Sequence, residues 1–181
     1  MKTMLFSSLV ALAAFAGIAA TTLTQKPSFY NFKMKGLDGK AVDFSKYKGK
    51  KVLIVNTASA CGYTPQYADL QKLHEQFGSK VVVLGFPANN FGEQEKGTNA
   101  EIGAFCQKNY GVTFQMFEKI SVLGDDQAPL YKFLSHKDLN GHVGDAPSWN
   151  FCKYLVNEKG EVVAFFPSKI SPLDKEITDK L

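Results

Sequence analysis

Cys61 is the residue whose position in the chain most directly suggests chemistry. It lies in the stretch VLIVNTASACGYTPQY, between an apolar run and a helix-start signal at Thr64 and Pro65. The free N–H groups and the positive dipole at a helix N-terminus favour a thiolate over a thiol, and the thiolate is the nucleophilic form. The sequence therefore predicts a nucleophilic cysteine, with a buried thiol that only fills space at a strand end as the alternative.

The chain has two further cysteines, Cys106 and Cys152, so the total of three is odd. In an exported protein, at least one thiol would then stay unpaired or enter a transient disulfide. No two cysteines form a CxxC pair, and His74, His136 and His142 do not stand at ligand spacing from them. The sequence contains no zinc-binding pattern.

Two other stretches carry side chains that could serve the same site as Cys61. The stretch LGFPANNFGEQE supplies amides at Asn89, Asn90 and Gln94, although ordinary turn chemistry also explains asparagine and glycine there. In SWNF, the indole of Trp149 and the amide of Asn150 can both donate hydrogen bonds to an anion. A core tryptophan followed by a capping asparagine is the alternative for the second stretch.

The hydrophobic pattern predicts the elements that position these residues. Residues 51–56 and 80–86 are apolar and β-branched, as in buried strands. A helix is predicted from Thr64 as N-cap and Pro65 as its first residue, and Thr98 to Glu101 fit a capping box for a second helix. The other predicted elements are strands at 29–35 and 41–44, a strand or loop at 114–120, a helix at 129–136, a polar loop at 137–148, a hairpin of strands 151–156 and 161–166, and a helix opening at Pro172.

This order of elements predicts an α/β protein. A βαβ unit followed by a β-hairpin and a closing helix is a thioredoxin-like arrangement, with a central mixed sheet flanked by helices and an N-terminal β-hairpin. Cys61 then follows a central strand, and the carboxyl ends of strands are where catalytic sites concentrate in such sheets.

Composition fits one soluble domain and argues against a nucleic-acid partner. The chain has 181 residues, of which 45% are hydrophobic and 21% charged, and its net charge is +4. All its basic side chains other than histidine are lysines, so the bidentate guanidinium favoured in nucleic-acid recognition is missing.

The first twenty residues differ from the rest of the chain. Lys2 is followed by an apolar run from Met4 to Ala20, which is typical of a secretory signal peptide. An uncleaved N-terminal hydrophobic anchor at 1–20 is the alternative. We expect residues 26–181 to form the folded domain, and the protein to be periplasmic or secreted, or membrane-anchored if the leader is not cleaved.

Three blocks, in this order and spacing, closely resemble the glutathione peroxidase family: NTASACGYTPQY, GFPANNFGEQEKGTN and WNFCKYLVNEKGEVV. The segment YGVTFQMFEKI also matches, and the resemblance covers roughly residues 28–181. It implies a thioredoxin-like fold, reduction of hydrogen peroxide and of organic and lipid hydroperoxides, no bound cofactor, and a role in antioxidant defence.

The resemblance also implies roles for individual residues. The family's peroxidatic residue, a selenocysteine or cysteine, matches Cys61, and its tryptophan and asparagine match Trp149 and Asn150. The family's glutamine falls on Asn90, whose amide is one methylene shorter. Cys61 would attack the peroxide and become a sulfenic acid, while the amide and indole donors stabilise the developing charge.

Cys106, in the segment AFCQKNYG, is the candidate resolving thiol for this sulfenic acid, since thioredoxin-dependent family members carry theirs nearby. A buried helix residue without such a role is the alternative for Cys106. Cys152 is predicted to belong to the core.

The resemblance further implies an external thiol reductant, thioredoxin-like rather than glutathione. The arginines that bind glutathione in animal members are absent, and the connection from Leu134 to Trp149 is short, as in monomeric members. Membrane proximity would come only through the leader. A thiol redox sensor or relay, in which Cys61 passes a disulfide to a partner protein, is the alternative to a peroxidase.

Overall fold

The computed structural model describes residues 27–181. The predicted leader at 1–20 and the first residue of the predicted domain lie outside the described residues. The strands are β1 (Lys33–Lys35), β2 (Ala41–Asp43), β3 (Lys51–Thr57), β4 (Val81–Pro87), β5 (Gln115–Met116), β6 (Lys153–Val156) and β7 (Val162–Phe166). The helices are α1 (Gln66–Phe77), α2 (Asn99–Tyr110), α3 (Pro129–Ser135), α4 (Lys137–Asn140) and α5 (Lys175–Thr178).

Strands β3 to β7 form a mixed sheet in the order β5-β4-β3-β6-β7, and β1 pairs with β2 in a separate hairpin. β3 is parallel to β4 and antiparallel to β6, so it is the central strand of the sheet. The predicted α/β, thioredoxin-like arrangement with an N-terminal hairpin is confirmed. None of the helices formed by residues 27–181 is long and apolar enough to span a bilayer.

The side chains of β3 alternate between two hydrophobic cores, one on each face of the sheet. Val52 and Ile54 pack in the first core, which contains residues of α3 and an aromatic cluster around Phe44 and Phe117. Leu53 and Val55 pack in the second core, against α1 and α2. Because a strand alternates faces every residue, a continuous apolar run is what a strand covered on both sides requires.

Three predicted boundaries are wrong. Residues Phe29–Asn31 form a 3-10 helix rather than the start of a strand, because the Ser28 hydroxyl caps the N–H of Tyr30 at 3.3 Å. The predicted loop at 137–148 contains α4. The segment 114–120, predicted as a strand or a loop, contains the short strand β5. The last helix begins at Lys175 instead of Pro172, because the Asp174 side chain caps it.

Lys153 joins the sheet to the start of α1. Among residues 27–181 it is the only lysine that is fully buried. Its Nζ donates hydrogen bonds to the side-chain oxygen of Gln66, the first residue of α1, and to the carbonyl of Ile170. A buried ammonium group is costly unless it is paired, so Lys153 should make stability depend on pH.

Burial lowers the pKa of Lys153 to about 7 from the ordinary 10.5, and Cys152 and Asp69 oppose this shift. Between those values the unfolded chain holds a proton that the folded chain has released, so the free energy of unfolding rises with pH. We expect wild type to gain about 2 kcal/mol between about pH 7 and pH 9 relative to Lys153→Met, measured by urea unfolding. Lys108→Met, which removes an exposed lysine of α2, should keep the wild-type slope. A slope unchanged by Lys153→Met would contradict the prediction.

Candidate active site

Three segments meet at one edge of the central sheet because of the directions of their strands. β3 and β4 are parallel, so the loops that follow them leave from the same edge. β6 is antiparallel to β3, so the segment that precedes it arrives at that edge. Backbone hydrogen bonds join the three segments: Ala60 N–H donates to the Gln94 carbonyl at 3.0 Å, and Phe151 N–H donates to the Asn56 carbonyl at 2.6 Å.

Cys61 lies in the turn between β3 and α1, with 8% of its surface exposed. Its sulfur accepts a hydrogen bond from the backbone N–H of Tyr63, with an N to Sγ distance of 3.4 Å. An N–H donor at this position stabilises negative charge on the sulfur more than it stabilises a neutral thiol. The turn can therefore support a nucleophilic thiolate.

The Thr64 hydroxyl holds this turn from inside rather than capping the helix. It accepts a hydrogen bond from the N–H of Cys61 and donates one to the carbonyl of Ala58, both at 2.9 Å. α1 begins at Gln66, and Pro65 occupies the N-cap position without a side-chain bond. The prediction that Thr64 is the N-cap is wrong because the turn around Cys61 uses the hydroxyl.

Replacing Thr64 by valine keeps the shape of the side chain and removes both hydrogen bonds. It leaves a buried N–H and a buried carbonyl unpaired at the turn that carries Cys61. We expect a loss of about 2–3 kcal/mol in the free energy of unfolding, measured with urea, and slower oxidation of Cys61 by peroxide. Thr64→Ser keeps the hydroxyl and should retain both properties, whereas equal losses in the two variants would contradict this role.

Asn150 and Gln94 form a pair next to the residue that precedes Cys61. Asn150 is fully buried, and its Nδ2 donates to the side-chain oxygen of Gln94 at 3.0 Å. The backbone of Gln94 is in turn bound by Ala60. The Asn150 Oδ1 has no hydrogen-bond partner among residues 27–181, so this buried amide retains unused bonding capacity. Of the three candidate amides in the loop after β4, Gln94 is the one that the structure joins to Asn150.

Trp149 lies on the surface beside this pair, with 39% of its side chain exposed. Its ring packs against Phe91, with ring centroids 5.8 Å apart, and Tyr63 is similarly exposed at 37%. The alternative of a core tryptophan is therefore wrong. The indole N–H remains available to a molecule that approaches from solvent, since it makes no hydrogen bond within residues 27–181.

The backbone after Trp149 is held in an unfavourable conformation. Phe151 has a φ of 65°, in the left-handed region that costs a bulky residue about 1–3 kcal/mol. Packing holds it there, because the Phe151 ring is fully buried edge-on against Tyr67 at 5.4 Å. The amide of Asn56 also binds the carbonyl of Trp149 at 2.9 Å. Asn56 thus fixes the Trp149–Asn150 turn, a role that an asparagine in an apolar strand could have signalled.

The structure does not bring the Asn90 amide to Cys61. The Asn90 Nδ2 donates to the hydroxyl of Ser121 and to the carbonyl of Leu123, both at 2.9 Å. Its Oδ1 accepts from the N–H of Val122 at 2.8 Å. Both ends of the amide are thus used to fix the 121–123 segment. The catalytic role that the resemblance gave to Asn90 therefore finds no support in this geometry, because the shorter side chain binds its own neighbours.

Cys106 lies in α2 with 2% of its surface exposed, in the same core as Cys61, and the structure has no disulfide between them. Burial raises the pKa of the Cys106 thiol to about 11, and the nearby Tyr67 hydroxyl opposes this rise. The position is that of a buried helix residue, so Cys106 would have to leave its pocket to react. Cys152 is fully buried in the core, as predicted.

No group of three or more histidine, cysteine or acidic side chains within residues 27–181 is arranged to hold a metal ion. What the site offers is a thiol with an N–H donor, the buried amide of Asn150 bonded to that of Gln94, and an exposed indole. These groups suit a nucleophilic attack by sulfur in which negative charge moves to a leaving group.

Comparison with known proteins places these features in a family context. The family model described as glutathione peroxidase matches residues 29–135. A glutathione peroxidase from Lactococcus lactis subsp. cremoris is 46% identical over 150 residues, which cover 82% of this chain and 95% of that protein. A glutathione peroxidase-like peroxiredoxin from Schizosaccharomyces pombe is 47% identical over 146 residues, covering 80% and 91%. A hydroperoxy fatty acid reductase from a Synechocystis strain is 46% identical over 151 residues, covering 80% and 89%.

Solved structures agree with the fold. The apo crystal structure of Trgpx superposes with a TM-score of 0.65 at 40% identity, covering 86% of this chain and 94% of that one. A DsbF homologue from Corynebacterium diphtheriae has a TM-score of 0.57 at 18% identity over 83% of each chain. At this identity the similarity indicates a shared fold only.

Proposed function

Because the chain belongs to the glutathione peroxidase family and is therefore a thiol-dependent peroxidase, we propose that Cys61 is the residue that reduces the peroxide. The observation that carries this proposal is the hydrogen bond from the Tyr63 N–H to the Cys61 sulfur, in a turn at the carboxyl edge of the sheet. Cys106 and Cys152 are more deeply buried, at 2% and 0% exposed.

In the first step the Cys61 thiolate attacks one oxygen of the peroxide. A sulfur–oxygen bond forms and the oxygen–oxygen bond breaks, so that Cys61 becomes a sulfenic acid and the other oxygen leaves as an alcohol or water. The segments that carry the Trp149 indole N–H and the Asn150–Gln94 amide pair meet the Cys61 turn at the same edge of the sheet. In this proposal they stabilise the charge that develops.

The substrates that we propose are hydrogen peroxide and organic hydroperoxides, including those of lipids. A relative is named a hydroperoxy fatty acid reductase. The large apolar side chains exposed around this edge, Tyr63, Leu123 and Trp149, offer an apolar surface to the organic part of such a substrate.

We propose a thioredoxin-like protein as the reductant, with Cys106 as the resolving thiol. The chain has no arginine for binding the carboxylates of glutathione, and three relatives are named glutathione peroxidase-like peroxiredoxins. In the second step the Cys106 sulfur attacks the Cys61 sulfenic acid, a disulfide forms and water leaves. Thioredoxin then reduces the disulfide.

Stopped-flow mixing of the reduced protein with peroxide tests the proposal. One Cys61 thiol should be consumed per peroxide, and thioredoxin should restore it over many cycles. Slow consumption of peroxide, or rapid consumption in which Cys61 is not the thiol oxidised first, would overturn the assignment of Cys61. A single turnover followed by disulfide transfer to another protein would instead favour the redox relay.

We also propose that the chain is exported by its leader at 1–20 and works as a monomer. The positive residue followed by an apolar run supports export, and the short connection between α3 and β6 supports the monomer. The N-terminal sequence of the mature protein and its mass in solution test these two points.

A further inference from the structure

Glu95 is the only buried carboxylic side chain among residues 27–181, with 2% of its surface exposed. Its carboxylate makes one hydrogen bond, accepted from the Ser59 hydroxyl at 3.2 Å, and no cationic side chain of the described residues lies within the distance of an ion pair. The cost of burying this carboxylate is offset only in part, by the hydroxyl and the backbone N–H of Ser59 and by the attraction of Lys119. Buried acids of this kind are often found at functional sites.

The loop around Glu95 is fixed from several sides. The Glu95 N–H donates to the Asn89 side chain at 2.9 Å, and Lys119 Nζ donates to the Glu95 carbonyl at 3.0 Å. Together with the bond between Ala60 and Gln94, these contacts hold the carboxyl group beside the residues that lead into Cys61. Several hydrogen bonds thus fix the position of the Glu95 carboxyl group.

The carboxyl group also lines a cavity of about 550 Å³ that opens to solvent and is shared with Ser59 and Ala60. Two other carboxylates line this cavity, but both are exposed and bonded. Glu93 pairs with Lys96 at 2.9 Å, and Glu101 binds the N–H and hydroxyl of Thr98, so each has a lowered pKa.

The pKa of Glu95 is raised by burial, which outweighs the hydrogen bond from Ser59 and the attraction of Lys119. The buried groups that face it, Tyr67 and Cys106, are neutral near pH 7 because burial raises their pKa values too. A carboxylic acid in these surroundings holds its proton to higher pH than an exposed one.

We propose that Glu95 supplies through Ser59 the proton that the leaving oxygen takes up when Cys61 opens the peroxide bond. This inference rests on the proposed function of Cys61. The indole and amide groups near Cys61 donate hydrogen bonds but do not release protons near neutral pH. An acid that can release one completes the site.

Each proton in this step has a donor and an acceptor. As the thiolate sulfur bonds to one peroxide oxygen, the other oxygen leaves with the electron pair of the broken bond. It takes the proton of the Ser59 hydroxyl, which takes the proton of Glu95 in turn. The Glu95 carboxylate regains a proton from solvent through the cavity. Glu95 therefore acts through Ser59 as a positioning and proton-supplying residue rather than by touching the substrate.

Two oxidants with different leaving groups test the proposal. With tert-butyl hydroperoxide the leaving alkoxide needs a proton, whereas peracetic acid releases acetate, which does not. We expect Glu95→Gln to slow oxidation of Cys61 by tert-butyl hydroperoxide about 10- to 100-fold and to leave the rate with peracetic acid at its wild-type value. In wild type, the rate with tert-butyl hydroperoxide should decline at alkaline pH as Glu95 loses its proton, and this decline should be absent from Glu95→Gln. Ser59→Ala should lower the rate by the same factor, and the double variant should be no slower than either single variant.

Glu101→Gln is the matched control, since it alters a carboxylate of the same cavity and glutamine still completes the capping box. Glu95→Gln should be at least as stable as wild type at about pH 7, because an acid whose folded pKa is raised loses stability as pH rises through that value. Equal losses with both oxidants, or no loss with either, would overturn the role of Glu95. Failure of peracetic acid to oxidise Cys61 in wild type would instead overturn the proposed function.

Discussion

Replacing Cys61 by serine is expected to abolish peroxide reduction, lowering the rate constant by about 10³-fold or more. A serine hydroxyl is uncharged at neutral pH and is a far weaker nucleophile than a thiolate. The N–H of Tyr63 would remain in place but would have no charge to stabilise. Stopped-flow consumption of peroxide by the reduced protein measures this rate directly.

Cys152→Ser is the matched control for this variant. Cys152 is fully buried, and its sulfur lies 3.5 Å from the Ser168 hydroxyl, so serine can keep a similar contact. This variant should retain the wild-type rate. If Cys61→Ser still consumed peroxide quickly, another residue would be the nucleophile and the proposed site would be wrong.

Replacing Cys106 by serine is expected to separate the two halves of the reaction. The rate of peroxide consumption in the first turnover should stay at its wild-type value, because Cys106 does not contact the peroxide. The sulfenic acid on Cys61 should then persist, and turnover driven by thioredoxin should fall by at least about 10-fold. Labelling of the sulfenic acid, followed by mass spectrometry, measures its lifetime.

The structure explains why resolution through Cys106 needs a conformational change. The Cys106 thiol is buried with a pKa of about 11, so it cannot attack from its present pocket as a thiolate near neutral pH. α2 is suited to opening, because only Ile102 and Cys106 of its twelve residues are buried. Formation of the disulfide should therefore reduce the helix content measured by circular dichroism.

The state of Cys106 after peroxide treatment decides whether this thiol resolves Cys61. A long-lived sulfenic acid in wild type, with Cys106 still free, would show that this thiol does not resolve Cys61. A disulfide between Cys61 and Cys106 in peroxide-treated wild type, absent from Cys106→Ser, would support the assignment.

Much of the fold is readable in the sequence because its signals are local. The buried strand at β3, the capping box of α2 and the hairpin of β6 and β7 each depend on residues that are close together in the chain. The order of these elements restricts the topology, since parallel strands joined by a helix cross over in one hand. Cys61 at the end of β3 follows from the same local pattern.

Local signals also misled where a side chain had two possible partners. Thr64 stands before a proline, as an N-cap would, yet its hydroxyl bonds within the Cys61 turn. Asn90 occupies the position of the family's glutamine, yet its amide binds the 121–123 segment. In each case the competing partner became available only when the chain had folded.

By itself, then, the sequence determined the class of fold, the family and the position of the candidate thiol, because these depend on residue types in order along the chain. Only the tertiary structure decided which distant groups surround that thiol. The antiparallel pairing of β6 with β3 brings Asn150 to Gln94, and the packing of the loop after β4 buries Glu95 against Ser59. Contacts between residues far apart in the chain, and the burial that shifts a pKa, have no local signal in the sequence.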